Sequence, residues 1–264
     1  MHRSRFLLSL FATFVGLSFT YAEDKPAALE TPGLKALAAE GTPLKAGTKI
    51  AIFGDSLTMQ GGYLETMKKA LSASPATKDL KVQFFKHGLN GGRVPTVLEG
   101  KTPWGKLDGT MQELLDKNKP EVVVVFLGVN DVWHQDQGKG TSPEDFRAGL
   151  KNMAEMGKKA GARLVFATPA CIGEKPDGSN PHDKKLDEYS QIVRDVAKDS
   201  GAALADVRGA VMGYLKKNNA KDDQGKYKKD KILTYDGVHL QAAGNELVAD
   251  CISQALVDTL RAGK

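Results

Sequence analysis

The feature that most constrains the fold of this chain is an unbroken apolar run, Val122–Leu127, near its middle. Neighbouring side chains of a β-strand point to opposite faces of a sheet, so a strand with no polar position must be covered on both faces. A sheet with one face in water is therefore excluded for this segment. The run predicts the central strand of a parallel sheet that has helices on both sides.

Four further apolar runs of similar length are separated by segments with helical periodicity. The five predicted strands are Ile50–Phe53, Val82–Phe85, Glu121–Leu127, Arg163–Ala167 and Ala202–Val207. The predicted helices include one that starts at Ser142-Pro143, one around Leu186–Ala197 and one from Ala242 onward. Strands that alternate with helices are joined by right-handed crossovers and run parallel. The sequence thus predicts an α/β protein, a three-layer α/β/α sandwich with a five-stranded, mostly parallel, flavodoxin-like central sheet.

The composition is that of one globular domain: 41% of the 264 residues are hydrophobic and 26% are charged. No internal repeat and no linker rich in proline and glycine divides residues 48–264, which we predict to be the domain. Residues 23–47 contain three prolines among many alanines and charged residues. They predict a leader or linker with one short helix.

The first 22 residues have the pattern of a signal peptide. Basic residues up to Arg5 precede the apolar stretch Phe6–Phe19, and small residues up to Ala22 provide a cleavage site. The stretch is shorter than the ~20 apolar residues of a membrane span. No cysteine follows it for lipid attachment. We therefore predict an exported protein, periplasmic or secreted, with no stable membrane insertion after cleavage.

The charge of the chain argues against nucleic acid as a partner. Removal of residues 1–22 takes away two arginines and no acidic residue, so the net charge falls from +5 to +3. A domain that binds nucleic acid through its phosphates carries a much larger basic excess.

Two cysteines, Cys171 and Cys251, leave two interpretations open. In an oxidising compartment they can form one disulfide. Alternatively, Cys251 is a small core residue, since it lies on the apolar stripe of the C-terminal helical segment. Neither cysteine has a second Cys or His at the spacing of a metal site. We predict no metal and no cofactor.

Polar and glycine residues follow three of the predicted strands where each strand ends. Ser56 comes three residues after Phe53, Gly91 follows the second strand, and Asn130 comes three residues after Leu127. In open parallel sheets, ligands bind beyond the carboxyl ends of the strands. These residues are therefore expected to meet at one edge of the sheet.

Ser56 is a candidate nucleophile at the start of a helix that begins near Leu57. A serine in this position commonly caps the helix, and here we expect it to do so as well. The N–H groups of the first turn would then point at the site. Thr58 stands where a Gly-x-Ser-x-Gly elbow requires its second glycine, which argues against an α/β-hydrolase elbow.

His239 is the candidate base, because Asp236 precedes it by three residues across a turn that contains Gly237. A carboxylate on one ring nitrogen fixes the tautomer and stabilises the imidazolium that forms during attack. An exposed Asp-Gly turn with an unrelated histidine is the alternative for this segment alone. A metal-dependent hydrolase that uses Asp55, His134 and His239 is a further alternative, but these residues lack close ligand spacing.

With these motifs in their order, the chain resembles the SGNH hydrolases, the GDSL esterase/lipase family. The four blocks of the resemblance are Gly54-Asp55-Ser56-Leu57, Gly88-Leu89-Asn90-Gly91-Gly92, Gly128-Val129-Asn130-Asp131 and Asp236-Gly237-Val238-His239-Leu240. The resemblance implies a triad of nucleophile, base and orienting carboxylate: Ser56, His239 and Asp236. It also implies an oxyanion hole made by the N–H groups of Ser56 and Gly91 and the side-chain amide of Asn130. The neighbouring Gly92 is the alternative to Gly91.

The resemblance further implies a serine-dependent ester hydrolase for short-chain acyl esters of small molecules or carbohydrates, with O-acetylated carbohydrate as one option. A lysophospholipase or thioesterase activity is an alternative, and so is an inactive binding module with the same fold. Trp104 and the pair Trp133-His134 lie in segments that flank the predicted site. Their rings either stack on sugars or serve local packing.

Overall fold

The five apolar runs form one sheet in the computed structural model, which describes residues 29–219, 221, 224–227 and 231–262. The strands are β1 (Lys49–Gly54), β2 (Gln83–Gly88), β3 (Lys101–Thr102), β4 (Gly105–Lys106), β5 (Val122–Phe126), β6 (Arg163–Ala167) and β7 (Ala203–Ala205). The main sheet has the order β2-β1-β5-β6-β7, and all its pairings are parallel. The predicted α/β architecture is confirmed. The predicted signal peptide, residues 1–22, lies outside the described residues.

The central strand is the one that the sequence predicts. β5 lies between β1 and β6, with Ile50 opposite Val122 and Val122 opposite Arg163. Every residue of β5 is buried. Its unbroken apolar character is therefore explained by cover from both helical layers.

Ten helices surround the sheet in the described part of the chain. They are α1 (Pro32–Ala38), α2 (Ser56–Gln60), α3 (Gly62–Ala73), α4 (Val94–Glu99), α5 (Met111–Asn118), α6 (Val129–Trp133), α7 (Pro143–Lys159), α8 (Asp183–Ser200), α9 (Val207–Asn218) and α10 (Ala242–Arg261). One layer contains α1, α3 and α10, and the other contains α4, α5, α7 and α8. As predicted, α7 begins with Ser142 as its cap and Pro143 in its first turn.

Part of the segment predicted as a leader or linker packs on the domain. α1 is its one short helix, and it lies against α10 with Leu34 and Leu37 buried. The N–H of Leu34 donates to Asp250 on α10 at 2.9 Å. Gly33 permits this close approach, since a Cβ there would lie 2.3 Å from the Asp250 carbonyl oxygen. α1 therefore belongs to the folded unit.

A small antiparallel hairpin, β3–β4, is a feature that the sequence pattern does not predict. Thr102 pairs with Gly105, which places Pro103 and Trp104 in the turn. Strands of two residues are too short for periodicity to reveal them. The hairpin carries Trp104 out of the α/β layers.

The two cysteines do not form a disulfide. Both thiols are free, with Cys171 buried and Cys251 half-buried. Among the described residues, no helix combines the length and the apolar character needed to cross a membrane.

The strand order places the candidate site residues at one crevice. After β1 the chain crosses to β2 on one side and later returns to β5 on the other side of β1. Such a reversal opens a crevice at the carboxyl ends of the two central strands, where α/β proteins bind their ligands. Ser56 follows β1 and Asn130 follows β5 at this point.

Candidate active site

Three side chains from two distant parts of the sequence form one hydrogen-bonded chain at this crevice. Ser56 Oγ lies 3.0 Å from His239 Nε2, and His239 Nδ1 lies 2.6 Å from Asp236 Oδ2. The structure thus brings together all three predicted triad residues.

The hydrogen bonds assign the proton on the ring. An ionised carboxylate only accepts, so Nδ1 carries the hydrogen and donates it to Asp236. Nε2 of the neutral imidazole then has a free lone pair toward the Ser56 hydroxyl. This is the arrangement in which a histidine removes the proton of a serine as it attacks a carbonyl carbon.

Local backbone geometry presents Ser56 at the end of β1. Ser56 is the first residue of α2, and the cap is Asp55, whose carboxylate accepts the Leu57 N–H at 2.9 Å. The expectation that Ser56 itself caps the helix is therefore wrong. Asp55 caps better here because it lies one residue earlier with its carboxylate directed at Leu57 N, which leaves the Ser56 hydroxyl for His239.

The predicted oxyanion donors lie on the two loops next to Ser56. Gly91 is in a turn with φ +64°, a region that favours glycine. Asn130 is in the first turn of α6. The N–H of Gly92 already donates to the Leu89 carbonyl at 2.8 Å, which favours Gly91 over Gly92 as the donor. The roles of Gly91, Asn130 and the Ser56 N–H stay predictions.

Asp131 connects these two loops. Its Oδ1 accepts the Val94 N–H at 3.0 Å, and this bond ties the segment after Gly91 to the helix that carries Asn130. Asp131 is fully buried, and its Oδ2 has no hydrogen-bond partner among the described residues. The motif Gly128–Asp131 predicts a polar loop, but it gives no indication of this contact.

Two buried carboxyl groups near Ser56 have raised pKa values. Burial raises the pKa of Asp55 to about 7, and repulsion from Asp131 adds to the effect. Burial likewise raises the pKa of Asp131 to about 6. Each group has too few donors to offset the loss of water around its charge.

The pKa of the Asp236 carboxylate is instead lowered. Its Oδ1 accepts the N–H groups of Val238 at 2.9 Å and His239 at 2.8 Å, while Oδ2 receives the imidazole. Partial burial raises its pKa, but these hydrogen bonds outweigh burial and lower the pKa below the ordinary value. Asp236 therefore stays ionised and holds the ring of His239.

A buried glutamate, not predicted from the sequence, anchors the segment that carries Asp236 and His239. Glu174 accepts backbone N–H groups from Ile232 at 2.5 Å, Leu233 at 3.1 Å and Thr234 at 2.6 Å. It also accepts the Thr234 hydroxyl at 2.5 Å, and Thr234 Oγ1 in turn accepts the Gly237 N–H at 3.0 Å. Each of these contacts to the Glu174 carboxylate is a hydrogen-bond donor, and together they offset the cost of burying this side chain.

Tyr235 covers one face of the His239 ring. The two rings are stacked with centroids 5.7 Å apart and planes inclined by 16°. The Tyr235 hydroxyl accepts the Gln60 side-chain amide at 2.9 Å. Gln60 is the last residue of α2, so this contact joins the nucleophile helix to the base segment.

The three residues of the metal-dependent alternative do not meet as ligands. His134 stacks on Trp104, the buried Asp55 accepts the Leu57 N–H, and His239 is bonded to Ser56. Among the described residues, no group of three or more His, Cys, Asp or Glu side chains is arranged to hold a metal ion.

Comparison with known proteins adds to this geometry. Residues 52–247 match the GDSL-like Lipase/Acylhydrolase family. An acetylxylan esterase of Geobacillus stearothermophilus is 24% identical over 224 residues, which cover 77% of this chain and 91% of that protein. The structure of an acetyl xylan esterase, AlAXEase, is similar with a TM-score of 0.67 and 33% identity, over 79% of this chain and 99% of that one. LAE5, an alpha/beta hydrolase from the metagenome of Lake Arreo in Spain, has the same fold at 23% identity and a TM-score of 0.67, over 83% and 99% of the two chains.

Proposed function

The chain belongs to the GDSL-like lipase/acylhydrolase family and is a carboxylic ester hydrolase; on this premise we propose that Ser56 attacks acetyl esters of carbohydrates. The observation that carries the reaction is the chain of hydrogen bonds from Ser56 through His239 to Asp236. The observation that supports the substrate is the similarity to acetylxylan esterases over nearly their whole length.

The geometry supports a two-step reaction. Ser56 Oγ attacks the ester carbonyl while His239 takes the hydroxyl proton; the same proton then goes to the sugar oxygen as its bond to the acyl carbon breaks, and the sugar leaves with a free hydroxyl. A water molecule then attacks the acetyl-enzyme, with His239 again as the base, and acetate is released. The amide of Asn130 and the N–H groups of Ser56 and Gly91 are proposed to bind the negative oxygen of both tetrahedral intermediates.

The exposure of the triad is consistent with a bulky alcohol part of the substrate. The side chain of His239 is 27% exposed and that of Asp236 is 42% exposed. An acetyl group on an oligosaccharide projects only a short distance from the sugar, so the nucleophile must be reachable from the surface. This favours acetylated carbohydrate over a long-chain lipid ester.

A substrate screen tests the proposal. Purified enzyme is assayed for acid release from acetylated xylo-oligosaccharides, from glyceryl triesters of increasing acyl length and from a lysophospholipid, with Ser56→Ala as the blank. We expect acetate release from the oligosaccharides and a rate on the triesters that falls with acyl length. A preference for octanoyl triesters or for the lysophospholipid would instead favour the alternative acylhydrolase activities.

We also propose that the enzyme is exported and acts in the periplasm or outside the cell. The support is the basic, apolar and small-residue pattern of residues 1–22. The full chain is expressed in a Gram-negative host, and cell fractions are analysed by N-terminal sequencing. We expect mature protein that begins at Glu23 in the periplasm or the medium. Protein that begins at Met1 in the cytoplasm would contradict export.

A further inference from the structure

The exposed apolar side chains are concentrated near the active site. In the part of the chain that the structure describes, the large apolar side chains that are exposed are Met59, Trp104, Trp133, Leu204 and Tyr235. All except Leu204 belong to segments next to triad or oxyanion residues. Exposed apolar surface gathered around a catalytic centre indicates a surface that a ligand covers.

Trp104 borders the place where the acyl group reacts. Its ring lies against Gly91, since a Cβ at residue 91 would be 2.4 Å from Trp104 Cε3. The same loop packs on the residue before the nucleophile, since a Cβ at Gly92 would lie 3.3 Å from Asp55 Cα. The Trp104 indole and Asp55, the residue before Ser56, thus lie against two adjacent glycines of one loop.

Trp104 is fixed in place although 59% of it is exposed. Thr102 Oγ1 accepts the backbone N–H of Trp104 at 3.2 Å and donates to the Asn90 carbonyl at 2.8 Å. These two bonds tie the β3–β4 turn to the Gly91 loop. The indole also stacks on His134, with centroids 5.8 Å apart and planes inclined by 17°. A side chain held in this way loses little conformational entropy when a ligand covers it.

We propose that Trp104 is a sugar-binding platform on which the ring that bears the acetyl group, or its neighbour, stacks. The C–H face of a pyranose ring is apolar and flat, whereas its hydroxyls point outward, so it fits the exposed surface of an indole. The proposal rests on the proposed function and names the part of the substrate that this surface contacts. A sugar is favoured over a second copy of the chain because the platform adjoins a nucleophile that must stay accessible.

Kinetics of matched variants test the platform. Trp104→Ala, Trp104→Phe and the control Leu204→Ala are compared on acetylated xylo-oligosaccharides and on triacetin, which has neither a sugar nor an aromatic ring. We expect Trp104→Ala to lower kcat/KM for the oligosaccharides at least about fivefold more than for triacetin, mainly through KM. Trp104→Phe should restore most of the loss, and Leu204→Ala should behave as wild type on both substrates.

Equal losses on both substrates would overturn the proposal, because Trp104 would then act only by supporting the Gly91 loop. A change in the native mass of Trp104→Ala would also overturn it, in favour of an interface between copies. Failure of the proposed function is recognised separately: the wild type would hydrolyse triacetin and no acetylated sugar. In that case the binding of unmodified xylohexaose to Ser56→Ala and to Ser56→Ala/Trp104→Ala is measured by calorimetry. Binding to the first variant that is lost in the second supports the Trp104 platform, and equal binding to both contradicts it.

Discussion

The proposed nucleophile and the proposed base of this enzyme are held by two regions that are built differently. Ser56 is the first residue of α2, directly after β1, and the capping bond that begins this helix joins its two neighbours in the chain, Asp55 and Leu57. His239 stands in an irregular segment before α10, where Glu174, about 60 residues earlier, binds the backbone. The first region is positioned by regular secondary structure and the second by one buried side chain.

The carboxyl groups near Ser56 also differ in pKa from the carboxyl group that is bonded to His239. Asp55 and Asp131 are buried with few donors, and their pKa values are raised to about 7 and about 6. Asp236 accepts three hydrogen bonds, which lower its pKa in spite of partial burial. Depth and hydrogen-bond donors act together here: full burial raises the pKa of Asp55 and Asp131, whereas at the partly exposed Asp236 three hydrogen bonds outweigh burial.

The largest expected effect comes from removing Ser56 Oγ, which forms the hydrogen bond between the two regions. Ser56→Ala should lower kcat by more than about 10⁴-fold, because the nucleophile is lost while its surroundings stay intact. Ester hydrolysis is measured on triacetin, and thermal unfolding is the control for the fold. Residual activity within about tenfold of wild type would exclude Ser56 as the nucleophile.

On the nucleophile side, Asn130→Ala should lower kcat about a hundredfold and change KM little, since the amide binds charge that develops only in the transition state. Asn130→Asp should be worse because an ionised carboxylate repels the oxyanion. The exposed Asn152→Ala on α7 is the control. A rise in KM with kcat spared in both Asn130 variants would remove Asn130 from the oxyanion hole.

On the base side, Glu174→Gln should lower kcat about tenfold and the free energy of unfolding by about 1–3 kcal/mol, because the new NH₂ group faces backbone donors and leaves them unpaired. Both quantities are measured well below the melting temperature, with the exposed Glu155→Gln on α7 as the control. Reduced stability with an unchanged kcat would show that Glu174 supports the fold without positioning His239.

The last prediction concerns stability rather than rate. The folded-state pKa of Asp55 is raised from 3.8 to about 7, so the stability that this group contributes is present below pH 3.8 and is lost as pH rises through about 7. Asp55→Asn still caps α2 but does not titrate. Its free energy of unfolding should therefore fall less than that of wild type over this range, and denaturation at a series of pH values measures the slope. The exposed Asp116→Asn is the control, and equal slopes for Asp55→Asn and wild type would contradict the assignment.

The parts of this site that the sequence predicts all lie next to a regular element. Ser56 comes after β1, Asn130 after β5, and Asp236 and His239 share one turn before α10. In each case a short-range pattern fixes the position. Glu174 gives no such pattern, because a single glutamate in a loop after β6 looks like a solvated residue until the segment 232–234 folds over it.

The sequence by itself determined the parallel α/β sheet and placed Ser56 and Asn130 at the ends of its strands, because these features depend on local periodicity, and the family resemblance supplied the proposed triad. Only the tertiary structure decided that Asp55 caps α2, that Asp131 ties two loops together, that Glu174 anchors the base segment and that Trp104 stands over Gly91. These are contacts between residues far apart in the chain, or choices between adjacent polar residues. Their energies depend on burial and on the partners at hand, which a linear pattern does not contain.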